Sequence, residues 1–222
     1  MKGRGSVKQK ENLYSLKADE ANLQEFMPAD KTQPGNLIVF TGPSGVGKGT
    51  LRKLLIEQCP NLVRSVSVTT REQRFGEQDG VDYFFRTQAQ FDELRAQDEL
   101  MESAEFAGSY YGTPRVWVKE QLALGIDVLL EIEVQGAKQI ARAFPQAVLI
   151  FISPPSFNAL RERLTNRGTE SKDKVALRLR KAEQELKERH LFDYEVVNDD
   201  VEEAVRNLVH IVYAERCRIK QR

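Results

Sequence analysis

Leu37-Ile38-Val39-Phe40-Thr41-Gly42-Pro43-Ser44-Gly45-Val46-Gly47-Lys48-Gly49-Thr50 is the stretch on which the fold turns. Its first four residues are a continuous apolar run, as in a strand covered on both faces by other layers. A glycine-rich turn follows, and Leu51, Leu54 and Leu55 then recur at helical spacing toward Cys59. Strand, glycine-rich turn and helix in this order are the context a P-loop requires. The glycines let successive backbone N–H groups point inward as an anion nest, and the new helix turns its positive end to the same point. Gly42, Pro43, Ser44, Gly45, Val46, Gly47, Lys48, Gly49 and Thr50 are therefore expected to hold a nucleoside triphosphate, with Lys48 bridging its terminal phosphates. Gly49 stands where a Ser or Thr usually follows the lysine, and the hydroxyl arrives one residue later at Thr50. A magnesium ion thereby loses its usual direct hydroxyl ligand and keeps more water, while Thr50 suits an α- or β-phosphate. A P-loop alone does not choose among a GTPase, a motor and a small-molecule kinase.

Further strand candidates lie at 63–68, 127–132, 147–152 and 194–197, with helical patterns between several of them. This alternation predicts an α/β fold: a parallel five-stranded core sheet flanked by helices and joined by right-handed crossovers. Residues 69–112 break the rhythm with turn residues, short aromatic runs and one helix over 88–97, which reads as an inserted substrate-binding subdomain. Residues 156–190 are a charge-dense helical stretch interrupted near Gly168. The first 35 residues differ from the rest. Lys2, Arg4, Lys8 and Lys10 stand there with no acid among the first ten, and Ala21, Leu23, Phe26 and Met27 give 19–27 a partial apolar face. They read as a flexible extension closed off by Pro34-Gly35.

A chain of 222 residues is about one large domain. With 41% hydrophobic and 30% charged residues it is too apolar for general disorder. Thirty-three basic residues balance thirty-three acidic ones, which argues against a chain-wide basic surface, so no nucleic-acid partner is expected. Cys59 and Cys217 fit no metal-ligand spacing and read as unpaired thiols of a reducing cytoplasm. No apolar run reaches the length of a membrane span and no signal-like stretch follows Met1, so the expectation is a cytoplasmic protein without a membrane partner.

Ser65-Val66-Ser67-Val68-Thr69-Thr70-Arg71-Glu72-Gln73-Arg74 ends a strand in hydroxyls and two arginines, and Tyr83 and Tyr110-Tyr111-Gly112-Thr113 follow. Guanidinium forks and phenol hydroxyls together suit the three oxygens of a phosphate monoester. From Gly35 to about Ala214 the chain resembles guanylate kinase, which phosphorylates GMP with ATP. The resemblance rests on the P-loop, the Ser65–Arg74 run and Gly76-Glu77-Gln78-Asp79-Gly80-Val81-Asp82-Tyr83-Phe84-Phe85. It continues through Tyr110–Thr113, Glu131-Ile132-Glu133-Val134-Gln135-Gly136-Ala137, Arg167-Gly168-Thr169-Glu170 and Val197-Asn198-Asp199-Asp200. It implies a P-loop nucleoside monophosphate kinase fold in which 36–222 is the kinase domain: core 36–68, 113–155 and 191–222, a mixed α/β GMP-binding insert at 69–112, and a helical lid at 156–190.

The resemblance also implies roles. Arg71, Arg74, Tyr83 and Tyr111 hold the GMP phosphate, and Ser67, Glu102 and Thr113 read the base. Guanine presents N1–H and N2–H₂ as neighbouring donors that one carboxylate can accept together, and its O6 suits a hydroxyl donor. Glu131 and Glu133, which alternation puts on one side of their strand, contact the guanosine and, through water, the magnesium. The family usually places an Asp in this pair, so the metal is expected on the ATP phosphates and water, near Glu131. Arg163, Arg167 and Arg178 are lid arginines converging on the ATP, and with Lys48 and Arg71 they neutralise the transferring phosphoryl. Asn198 stands beside the adenine, although the Asn198-Asp199-Asp200 run equally suits a helix N-cap. Arg161, Arg180 and Lys181 read as ordinary solvated charges. His190 and His210 have no partner cluster, and the chemistry demands no general base. A catalytically dead interaction module is disfavoured by the intact Gly47-Lys48, and an AMP kinase by the Arg71/Arg74/Tyr83 equipment. Self-association is left open by the sequence.

Overall fold

Five strands make the central sheet: β1 (Leu37–Thr41), β2 (Leu62–Arg64), β7 (Asp127–Glu131), β8 (Val148–Ser153) and β9 (Tyr194–Val197). They lie in the order β2-β7-β1-β8-β9, and every neighbouring pair is parallel. The structure is a computed structural model describing residues 33–165 and 172–219. The extension, Arg167 and the turn expected near Gly168 lie outside the described residues, apart from the extension's last three positions.

The apolar runs follow from burial on both faces. Along β1, Ile38 and Phe40 point into one core, with Leu51 and Leu55 of α1 (Lys48–Gln58) and Leu208 and Val212 of α7 (Val201–Arg216). Leu37 and Val39 point into the other, with Val118 of α3 (Arg115–Ala123) and Ile140 of α4 (Val134–Ala143). A period of two thus divides one hydrophobic string between two layers of helices. Strand β1 lies between β7 and β8, the point where strand order reverses, and sheets of this kind bind ligands outside the carboxyl ends there.

The strand expected over 63–68 is two strands in two sheets. Ser65 N still donates to Leu129 O at 3.0 Å, after which the chain leaves the core. Val68 and Thr69 form β3 and pair with Gly112 and Tyr111. Ser65 and Ser67 face a cleft between the sheets, so the apolar run could not continue as one buried strand. The second sheet has the order β4-β3-β6-β5, with β4 (Phe84–Phe85), β5 (Leu100–Phe106) and β6 (Ser109–Pro114). It is mixed, since β3 and β4 are parallel whereas β6 runs antiparallel to β3 and β5. Helix α2 (Gln88–Ala96) covers it, opened by a capping box in which Thr87 accepts from Gln90 N. Helices α5 (Phe157–Thr165) and α6 (Lys172–Lys187) occupy the charge-dense stretch and pack through Leu160, Leu164, Val175, Leu179 and Ala182.

Candidate active site

At the carboxyl end of β1 the chain turns through the P-loop into α1. Gly47 caps this helix with φ 98°, and a Cβ there would stand 2.5 Å from Asn198 Nδ2, so only glycine fits. A Cβ at Gly49 would meet nothing within 4 Å, so the missing hydroxyl is no steric demand of the fold. Lys48 Nζ donates to Gly42 O at 2.5 Å and to Pro43 O at 3.3 Å, which holds the ammonium over the loop. Ser44 is half-buried and Thr50 exposed at the start of α1, as the first turn of a helix presented to a ligand requires.

Beside the loop lies a cleft of about 270 Å³ between the two sheets. It gathers Lys48, Ser67, Arg71, Arg74, Tyr83, Glu102, Tyr111, Glu131, Glu133 and Arg178 from the expected set. Arg52 and Arg64 line it as well, so among the described residues six cationic side chains face the carboxylates of Glu77, Glu102, Glu131 and Glu133. A hollow with this excess of positive charge suits an anion.

One end of the cleft is polar and buried. Leu100 pairs with Pro114 and Ser103 with Gly112, so Met101 and Glu102 together oppose Thr113 in a β-bulge. The bulge turns Met101 into the core and Glu102 into the cleft, where Glu102 is 4% exposed. Thr113 Oγ1, itself fully buried, donates to Glu102 Oε1 at 2.7 Å. On the other side the backbone of α4 closes in, because a Cβ at Gly136 would stand 2.2 Å from Glu102 Oε2. Burial pushes the Glu102 carboxyl up to about 7 against the opposing Thr113 hydrogen bonds, and the Glu133 charge adds to the rise.

Arg71 is not a bare cation. Its Nη2 bonds both Glu77 oxygens, at 2.8 and 3.0 Å, and its guanidinium lies 5.3 Å from the Tyr83 ring centre. Glu77 also accepts from Arg74 N at 2.9 Å, so one carboxylate organises the turn carrying both arginines. Tyr83 and Tyr111 meet edge to face at 5.9 Å. Burial, with Glu131 and Tyr111 nearby, raises the Tyr83 phenol, which therefore stays a neutral donor.

Glu131 closes β7 and Glu133 stands as N-cap of α4, and both carboxylates reach the cleft. Arg52 Nη1 donates to Glu131 Oε2 at 2.7 Å, and Lys181 Nζ to Glu133 Oε2 at 2.8 Å. Reading Lys181 as a solvated charge was wrong: the ion pair and an approach of 3.8 Å to the Phe106 ring centre hold it against the cleft wall. Asn198 and Arg163 lie on the far side of the P-loop. Asn198 Nδ2 donates to Val46 O at 2.7 Å and Arg163 Nη1 to Asn198 O at 3.0 Å. The N-cap of α7 is Asp200, which accepts from Glu203 N at 2.8 Å, so Asn198 is left for the loop. Asn198 Oδ1 is buried without a hydrogen-bond partner among the described residues.

The sequence reading missed Arg52, Arg64, Glu77 and Lys181. Arg52 had a usable signal, since it follows Lys48 by one helical turn and must share its face. Among the described residues no group of three or more His, Cys, Asp or Glu side chains is placed to hold a metal ion, and no helix is long and apolar enough to cross a membrane. Cys59 is buried and Cys217 exposed, and neither is in a disulfide.

Residues 34–215 match the sequence profile described as guanylate kinase. A guanylate kinase of Synechocystis sp. is 52% identical over 187 residues, covering 84% of this chain and 98% of that protein. A guanylate kinase of Desulfitobacterium hafniense is 49% identical over 188 residues, 85% of this chain and 94% of that protein. The crystal structure of guanylate kinase from Anaplasma phagocytophilum superposes with a TM-score of 0.71 at 35% identity, over 84% of this chain and 89% of that one.

Proposed function

The chain belongs to the guanylate kinase family, and from that premise we propose how its residues divide between the two substrates. It has the P-loop nucleoside monophosphate kinase fold and transfers the γ-phosphoryl of ATP to GMP, giving ADP and GDP. The observation that carries the assignment of the acceptor site is the pairing of Glu102 with Thr113 in a buried bulge at one end of a cleft that has Lys48 along its wall. Glu102 accepts N1–H and N2–H₂ of guanine, and Ser67 completes the contacts to the base. Arg71, Arg74, Tyr83 and Tyr111 take the GMP phosphate, which displaces Glu77 from Arg71 by offering a stronger bidentate partner.

On the donor side, Gly42 to Thr50 wrap the ATP phosphates, and Asn198, which braces the loop through Val46 O, stands beside the adenine. The GMP phosphate oxygen attacks the γ-phosphorus directly, so no protein nucleophile is required. The protein aligns the two phosphates and cancels charge with Lys48 and Arg71, joined by Arg163, Arg167 and Arg178 from the lid. Magnesium fits as an ion held by ATP phosphates and water: Gly49 offers no hydroxyl, and Glu131 is already bonded to Arg52. When bound with ATP, the ion would supply charge neutralisation on the phosphates. The domain division follows the same lines, with 69–112 binding GMP, 156–190 covering ATP, and 1–35 an appendage. A cytoplasmic setting with free nucleotides as partners suits the two unpaired thiols.

An ADP-release assay with GMP, AMP, UMP and CMP as acceptors tests the reading. GMP is expected to be preferred by several orders of magnitude, and comparable rates with AMP would remove the base-reading assignment. A second test uses the close approach of α4. Gly136→Ala should push Glu102 out of place and raise KM for GMP about ten-fold with KM for ATP unchanged. Unaltered GMP kinetics in this variant would show that Glu102 does not act from the position it holds here.

A further inference from the structure

Lys181 sits where three elements meet. It comes from α6, which also carries Arg178 into the cleft, and its ammonium bonds Glu133 Oε2 at 2.8 Å. Glu185, one turn along the same helix, approaches it to 3.5 Å, and Phe106 of β5 lies 3.8 Å beneath it. Glu185 is 7% exposed, a depth at which a carboxylate is kept because a partner needs it. Burial raises its carboxyl, with the Glu133 charge adding to the effect and Lys181 and then Lys48 opposing it. Glu133 lines both the cleft and a smaller hollow behind it, so its side chain is the partition between them. Lys181 and Glu185 line the hollow, as does a second ion pair, Lys138 of α4 to Glu188 just past the end of α6 at 2.5 Å, but of these groups Glu133 is the one that also lines the cleft.

We propose that Lys181 is a positioning residue for GMP: clamped between Glu185 and Phe106, it fixes the Glu133 carboxylate at the cleft wall and links that wall to the helix bearing Arg178. The inference rests on the reading of Glu133 as a GMP contact. Held by Lys181 and by a hydrogen bond with the Glu185 carboxyl, Glu133 meets the guanosine with little rotamer freedom left to lose on binding.

Steady-state kinetics of Lys181→Met, Lys138→Met, Glu133→Gln and the Lys181→Met/Glu133→Gln double variant test this. Methionine keeps the apolar stem on Phe106 and removes only the charge. Lys181→Met should raise KM for GMP about five-fold with little change in KM for ATP. Lys138→Met, which cuts the other tie, should leave both unchanged, and the Lys181 effect should vanish in the Glu133→Gln background. An unchanged KM for GMP in Lys181→Met, or the same rise in the double variant over Glu133→Gln, overturns the inference alone. A KM for GMP untouched by Glu133→Gln overturns the Glu133 assignment and the inference with it.

Discussion

Lys48→Met is expected to lower turnover about 10³-fold while leaving the affinity for GMP without ATP within about two-fold of native. The transferred phosphoryl spreads negative charge over its equatorial and bridging oxygens. A preorganised cation at the loop stabilises that charge more than it stabilises bound ATP. In the free protein the ammonium rests on Gly42 O and Pro43 O. Neutral carbonyl dipoles hold it at the mouth of the anion nest, and phosphate oxygens compete with them on favourable terms because they carry full charge. Methionine matches the stem and removes the charge, so the loop keeps its shape. In the proposed assignment the GMP phosphate and base are held mainly by side chains of the second sheet and of the turn between β3 and β4, which this substitution leaves in place. Turnover is read by ADP release and GMP affinity by calorimetry. A variant that kept more than about a tenth of native turnover would remove Lys48 from the chemistry.

What the sequence made legible divides along the range of the interactions. The P-loop is local: strand, turn and helix are contiguous, and the glycine pattern carries its own geometric reason. The parallel sheet was legible for a similar reason, since strands buried on both faces cannot hide among polar residues. The break inside 63–68 was not, because Ser65 and Ser67 look like ordinary interruptions until the second sheet supplies partners for Val68 and Thr69. The bulge at Met101 and Glu102 was equally hidden, since an extra residue exists only relative to the register of β6. Charge partners were the least visible. Arg52 finds Glu131 across 79 residues and Lys181 finds Glu133 across 48, and no periodicity encodes either meeting. Motif resemblance named roles for Glu102, Arg71 and Tyr83, whereas Glu77 stood in the Gly76–Phe85 motif without a role, since its grip on both arginines exists only in the folded turn.

Glu102→Gln is expected to lower kcat/KM for GMP about 10²- to 10³-fold, through the loss of two charge-assisted hydrogen bonds to the base. Thr113 donates to the carboxylate from its hydroxyl and from its backbone N–H, and because the N–H cannot accept, the glutamine keeps its carbonyl oxygen there and turns its NH₂ toward the guanine donors. Donor then faces donor in a site too buried for water to mediate. The native carboxyl, raised to about 7, also makes GMP binding depend on pH. Only the ionised form accepts both donors, so at pH 6, with about ten protonated sites for each ionised one, the apparent affinity for GMP should be about ten-fold below its value at pH 8. The GMP phosphate titrates in the same range, and Glu102→Gln, which retains only that part, should show the shallower profile.

Stability runs the other way. The folded carboxyl lies above its ordinary value of 4.5, so the free protein binds this proton more tightly than the unfolded chain does. Its contribution to stability is full below pH 4.5 and is lost as pH rises through about 7, whereas glutamine removes that slope. Opposite pH trends for free-state melting and for GMP affinity, both flattened in one variant, are what a buried base-reading carboxylate must produce. A variant with KM for GMP within about three-fold of native at pH 8 would show that this carboxylate does not read the base.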